Sequence, residues 1–169
     1  TVLVGASEDR IPTLSETLAH INGQVPVFIE IKDQDGALGA NVGTLETAVV
    51  KALEGYAGPA AVMSFNPSSV ATGKDLRPDL PVGLVTCGFQ DPHWAFLPAD
   101  RRDELAKIPD FDRIGASFIS HDARDLERPR VADLRNAGAS VLCWTVRSRE
   151  AEEEARKIAH NVTFEGYAA

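Results

Sequence analysis

Five runs rich in β-branched and apolar residues recur along this chain, at residues 25–32, 59–65, 81–87, 114–120 and 140–146. Most are apolar throughout and lack the polar alternation of a strand with one wet face. Helical stretches separate them. Thr13-Leu14-Ser15-Glu16 fits a capping box, Leu14, Leu18 and Ile21 form an apolar stripe behind it, and Asn22-Gly23 stops the helix. Leu45, Val49 and Leu53 repeat at helical spacing before Gly55 and Gly58, and Asn66-Pro67 opens the next segment. Asp100 is expected to cap a polar helix through Ile108, Pro129–Asn136 is helical with Gly138 behind it, and Ser148 starts a charged helix reaching about His160. Residues 162–167 read as a short closing strand or a terminal turn. Strands alternating with helices at about 30 residues per unit predict an α/β fold with a parallel sheet.

The chain has 169 residues, the size of a single domain (1–169), and a formal charge of −8. That charge argues against a nucleic-acid backbone or an anionic membrane surface as partner. No apolar run approaches the ~20 residues of a membrane span. Cys87 and Cys143 lie far apart in apolar runs and read as buried strand thiols rather than a disulfide or a metal pair. The cytoplasm is the default compartment. Asp33-Gln34-Asp35-Gly36 after the first run is neither a Walker loop nor a dinucleotide turn, so no Rossmann cofactor is expected.

The first run, Val25-Pro26-Val27-Phe28-Ile29-Glu30-Ile31-Lys32-Asp33, carries the charges that matter most. It reads as a strand buried on both faces, yet Glu30 and Lys32, two apart, share one side of it. Charges there must be paired, hold a metal, or sit at the strand's carboxyl end, where parallel sheets and barrels build their sites. One reading is a buried structural ion pair. The other is a carboxylate holding Mg²⁺ or Ca²⁺ beside a lysine holding a phosphate oxygen. The remaining strand ends add Ser64, Phe65 and Asn66; Thr86 and Cys87; Ser120 and His121; Trp144 and Arg147. His121-Asp122 fits a turn or cap, Asp33 and Asp35 fit solvated loop carboxylates, and His20, His93 and His160 receive no role.

In this order and spacing, Ile11-Pro12-Thr13-Leu14-Ser15-Glu16-Thr17-Leu18, Phe28-Ile29-Glu30-Ile31-Lys32, Met63-Ser64-Phe65-Asn66-Pro67, Leu80-Pro81-Val82-Gly83-Leu84, and Gly138 with Cys143-Trp144-Thr145-Val146 resemble the glycerophosphodiester phosphodiesterases over residues 11 to about 166. The resemblance implies a TIM (β/α)₈ barrel and metal-dependent hydrolysis of glycerophosphodiesters to an alcohol and glycerol 3-phosphate. It implies that Glu30 is a ligand of the divalent metal, Mg²⁺ or Ca²⁺, that Lys32 lies beside the phosphate, and that Phe65 and Trp144 line the glycerol side of the pocket. The family's catalytic histidine pair and Glu-x-Asp ligands precede the helix matched by residues 13–21. No catalytic residue is therefore assigned here, and His121-Asp122 comes too late in the chain to be the family's His-Asp motif. The chain departs from the family at Arg147, where Asn is usual after Trp-Thr-Val, and in its ending, residues 161–167.

An eight-unit barrel typically needs ~250 residues. The expectation is thus an incomplete barrel of about five parallel strands corresponding to strands 4–8, with strands 1–3 upstream of a chain that starts at Thr1 without Met. Such a piece is expected to be inactive alone, and to self-associate or pair with the missing N-terminal segment. The competing reading is a complete, non-catalytic α/β module that binds a phosphate or sugar, with both faces of a closed five-stranded sheet covered. A third makes His121 catalytic with Glu30, provided it reaches the ligand site.

Overall fold

A computed structural model describes residues 10–169. Its frame is one parallel sheet of six strands in sequence order: β1 (Val27–Glu30), β2 (Ala60–Ser64), β3 (Val82–Thr86), β4 (Phe118–Asp122), β5 (Ser140–Val146) and β6 (Asn161–Phe164). The helices are α1 (Leu14–Ile21), α2 (Thr44–Ala52), α3 (Pro67–Leu76), α4 (Ala99–Leu105), α5 (Asp110–Ile114), α6 (Pro129–Asn136) and α7 (Arg149–Ala155). Strands joined through helices in strict order curl the sheet into an incomplete TIM-type barrel, as the sequence predicts. Six strands form rather than about five, because residues 161–164 pair with β5.

Local chemistry explains most element ends. Thr13 and Glu16 close a reciprocal capping box at α1: Glu16 N–H donates to Thr13 Oγ1 at 3.2 Å and Thr13 N–H to Glu16 Oε2 at 2.7 Å. Asn22 ends that helix at φ 48°. Asn66 caps α3 through Ser68 N–H, with Pro67 in the first turn. Glu46, only 3% exposed, accepts from Gly43 N–H at 2.6 Å and from Ser69 Oγ–H at 2.5 Å, tying α2 to α3.

Several sequence expectations need correction. The first strand is not buried on both faces: among the described residues β1 is an edge strand, and Phe28 is 48% exposed. The fourth begins at Phe118 rather than 114, because Asp110–Ile114 forms a short helix that Gly115 ends at φ 68°. Pro98, not Asp100, holds the N-cap of α4, and α7 stops at Ala155. The inner face of the sheet is not covered either. An apolar cavity of about 350 Å³ opens there between Val27, Phe28, Ala61, Phe118 and Leu142, against the reading of a closed module.

The main core lies between the outer sheet face and the helices. Val62, Leu84, Ile119 and Val141 from the strands meet Val49, Leu53, Val70, Val131 and Leu134 from the helices. Side chains alternate across each strand. Since the register pairs Glu30 with Met63, Met63 with Gly83, Gly83 with Phe118 and Phe118 with Ser140, these residues and those two away share the inner face.

Gly83 is the tight point of that face. A Cβ there would lie 2.2 Å from the Phe118 ring, which Phe28 abuts edge-on at 5.7 Å. We expect Gly83→Ala to cost about 1–3 kcal/mol through overpacking. Urea unfolding monitored by circular dichroism measures it, and an unchanged midpoint refutes the contact.

Candidate active site

The carboxyl ends of the strands open into one cavity of about 850 Å³. Glu30, Lys32, Phe65 and Trp144, the four residues singled out in the sequence, all line it. Glu30 ends β1 and Lys32 follows it, Phe65 follows β2 and Trp144 lies in β5, and they meet because inner-face parity puts them on one side of the sheet. Lys32 Nζ lies 2.6 Å from Glu30 Oε1, with Lys32 73% and Glu30 25% exposed. The pair is therefore a rim pair, not the buried ion pair that spacing also allowed. Phe65 and Trp144 contact edge-on at 5.4 Å, and Trp144 Nε1–H donates to Ser120 O at 2.9 Å, fixing the indole.

A second apolar cluster roofs the strand ends. Leu38, Cys87, Phe89, Trp94, Leu97 and Leu105 pack together with Phe65 and Trp144 at their edge. Leu38 takes φ 48° and is held from both sides: its N–H donates to Asp33 Oδ2 at 3.2 Å and its carbonyl accepts from Arg101 Nη2 at 2.6 Å. Asn66 Nδ2 bridges Asp33 Oδ1 at 2.7 Å and Gly39 O at 2.8 Å. Asp33 is thus a fastener of the cavity wall and not a solvated loop carboxylate. Asp35 caps its own loop by accepting from Ala37 N–H and Asn41 Nδ2, both at 2.9 Å.

The remaining strand-end residues divide by face. Ser64 Oγ–H donates to Ile31 O at 2.7 Å, a purely structural contact. Cys87 reaches the cavity, but burial pushes its thiol up to about 11, so it is no nucleophile. Arg147 lies outside the lining and pairs with Glu165 at 2.6 Å. His121 is fully buried on the helix side. Its Nδ1 lies 2.7 Å from Thr86 Oγ1, and its Nε2 lies 3.4 Å from Asp125 Oδ2 without a hydrogen bond. It does not line the cavity, so the reading of a catalytic His121 fails on geometry.

Residues to which the sequence gave no site role do line it: His93, Trp94 and Phe96 from the segment after β3, Asp122 at the end of β4, and Arg124, Asp125 and Arg128 after it. Asp122 caps the turn Ala123–Asp125 and is gripped by Arg124. Burial pulls its carboxyl upward, but the hydrogen bonds from Arg124 prevail and hold it below the usual range. Parity counted from Trp144 through the register would have found Asp122, two residues beyond Ser120 on the inner face.

The model of the glycerophosphoryl diester phosphodiesterase family matches residues 3–163. The chain belongs to that family. Solved structures share the fold at low identity. A Galdieria sulphuraria protein described as a candidate glycerophosphodiester phosphodiesterase is 18% identical, with a TM-score of 0.72 over 96% of this chain and 63% of that one. A glycerophosphodiester phosphodiesterase from Parabacteroides distasonis is 19% identical, with a TM-score of 0.66 over 90% and 59%. An Oleispira antarctica phosphodiesterase in complex with the product sn-glycerol-3-phosphate is 18% identical, with a TM-score of 0.53 over 70% and 44%. The chain thus spans less than two thirds of each structure's length. No curated protein sequence matches it.

The family implies a divalent metal. Among the described residues no group of three His, Cys, Asp or Glu side chains converges on one point. Glu30 fits a single ligand position, since among the described residues its partner is the exposed Lys32 ammonium on Oε1 and nothing bonds Oε2. The described residues do not make a complete site.

Burial lowers the His121 pKa below its ordinary 6.5, with Asp125 opposing. As pH falls through 6.5 the unfolded chain takes up a proton that the folded chain refuses, so stability drops with falling pH in that window. We expect the unfolding free energy to decline between pH 7.5 and 5.5, with a smaller slope in His121→Asn. Equal slopes in chemical denaturation would remove His121 as the cause.

Proposed function

We propose that this chain forms the carboxyl-terminal side of the active-site cavity of a phosphodiesterase that hydrolyses glycerophosphodiesters to an alcohol and glycerol 3-phosphate. One observation carries the reading: Glu30, Lys32, Phe65 and Trp144, up to 114 positions apart, line a single cavity at the carboxyl ends of parallel strands. Family membership and the product-bound neighbour are consistent with it.

On this reading Lys32, the most exposed of the four, gives its ammonium to a phosphate oxygen. Phe65 and Trp144 form a dry wall against the carbon face of the glycerol and exclude water from that side. Glu30 holds the divalent cation, Mg²⁺ or Ca²⁺, which would neutralise charge on the phosphate. Water adds to phosphorus, the bond from phosphorus to the head-group oxygen breaks, and that oxygen leaves with a proton as the free alcohol. The described cavity lining offers one imidazole, His93, so the acid–base pair and the other metal ligands come from parts of the barrel that this chain does not span.

In the full-length protein, Glu30→Gln should lower turnover of glycerophosphocholine by ~10²-fold or more. Paramagnetic broadening by Mn²⁺ should weaken in the same variant, a readout independent of activity. Full hydrolysis by Glu30→Gln would overturn the assignment, and hydrolysis by residues 1–169 alone would overturn the placing of the acid–base pair outside this chain. The exposed apolar inner face, with Phe28 at its edge, leads to a second expectation: by itself the chain associates with another copy at low micromolar concentration. Light scattering that reports a stable monomer contradicts it.

A further inference from the structure

Lys32 is 73% exposed, so packing does not fix where its ammonium stands. Its backbone does. The pairing of β1 with β2 ends at Glu30 and Met63, with one further bond from Ile31 N–H to Met63 O at 2.8 Å. From Asp33 to Gly43 the chain is a loop carrying Gly36, Gly39 and Gly43, and its freedom would reach back to Lys32. Two side chains after the paired part of β2 take over where the ladder stops. Ser64 Oγ–H holds Ile31 O on one side of Lys32 at 2.7 Å. Asn66 Nδ2 holds Asp33 Oδ1 on the other side, also at 2.7 Å.

Asn66 is 1% exposed, and both polar atoms of its amide are engaged. Nδ2 gives its two hydrogens to the Asp33 carboxylate and to Gly39 O at 2.8 Å, and Oδ1 accepts from Ser68 N–H at 2.9 Å. The first two partners only accept and the third only donates, so the amide fits one way round. Asp33 passes the constraint on: its second oxygen accepts from Leu38 N–H at 3.2 Å, and Leu38 is sunk in the cluster above the strand ends. Capping α3 needs only an oxygen at position 66, which Ser or Asp supplies as well. The two donors of Nδ2 exceed that need, and both are spent on the residue after Lys32 and on its loop. We infer that Asn66 is a positioning residue for substrate binding: acting through Asp33, it sets the place of the Lys32 ammonium in the cavity, and with it the affinity for the substrate phosphate. The inference rests on the phosphodiesterase reading above for what Lys32 binds.

Two variants separate the cap from the bridge. Asn66→Ser keeps an N-cap and removes both donors. Asn66→Asp keeps the cap and sets a carboxylate against Asp33, and either variant suffices if the other fails to fold. The full-length protein is titrated with glycerol 3-phosphate by calorimetry, and its hydrolysis of glycerophosphocholine is followed. Each variant should raise the Kd for glycerol 3-phosphate and the KM about 10-fold, the low end for a lost charge-assisted hydrogen bond, while kcat changes less than about 3-fold. In a Lys32→Ala background the same substitution should change neither constant further. A merely structural role gives a different pattern: fewer competent molecules, hence a lower apparent kcat and fewer binding sites, with Kd and KM unchanged. That pattern, or an equal rise in Kd with and without Lys32, overturns the inference. Weaker binding of glycerol 3-phosphate in the variants but no hydrolysis by the unsubstituted protein would sink the phosphodiesterase reading and leave the positioning of Lys32 standing. Normal hydrolysis with an unchanged KM in both variants would sink the positioning alone.

Discussion

Side-chain alternation in a parallel sheet decides what this cavity contains. Each strand sends every second residue inward, and the unbroken register from β1 to β4 keeps the inward sets aligned. Glu30, Phe65, Cys87, Asp122 and Trp144 belong to the inner set and line the cavity. Ser64, Thr86 and His121 belong to the outer set, where Ser64 bonds to the backbone and Thr86 to His121 Nδ1. A slip of one residue in β1 would aim the Glu30 carboxylate into the helix layer, where Leu18, Val49 and Leu53 offer it no partner.

Parity alone would leave the cavity walls to mobile loops. The apolar cluster above the strand ends prevents that. Leu38 from the first long loop is sunk among Phe89, Trp94 and Leu97 from the third, so two loops distant in sequence share one small core. Asp33, Asn66 and Arg101 fasten that junction with hydrogen bonds to backbone. A loop-built site acquires the rigidity of its scaffold when its anchors are buried and their polar groups are satisfied.

Much of this was legible in the residues. Apolar runs separated by helices gave the parallel sheet, and the box at Thr13 and Glu16, the cap at Asn66 and the strand at Ser140–Val146 stand as read. The failures have physical causes. Ile114 to Ser117 is small and apolar, and composition does not tell a strand from a short helix closed by a left-handed glycine. That slip hid Asp122 as a strand end and left its neighbours Arg124, Asp125 and Arg128 looking like turn and helix charges. The exposure of Phe28 depends on which strand lies beyond β1, and residues 10–169 provide none. His93, a lone loop histidine, carries no periodicity to place it.

The distribution of charge over the lining bears on why Glu30, among five carboxylates, suits the role of cation ligand. Asp33 spends both oxygens on Asn66 and Leu38 N–H. Asp91 accepts from His93 N–H and faces Arg124. Asp122 and Asp125 are held by guanidinium groups whose fixed planes and permanent charge make them slow to yield to a competing cation. Glu30 alone is paired with a lysine, a flexible and largely exposed point charge. On the proposed reading, Glu30 would hold the divalent cation and Lys32 a phosphate oxygen, each exchanging its present partner for a charge of the ligand. A flexible ammonium yields to a competing charge more readily than a bidentate guanidinium, which sets Glu30 apart from the other lining carboxylates.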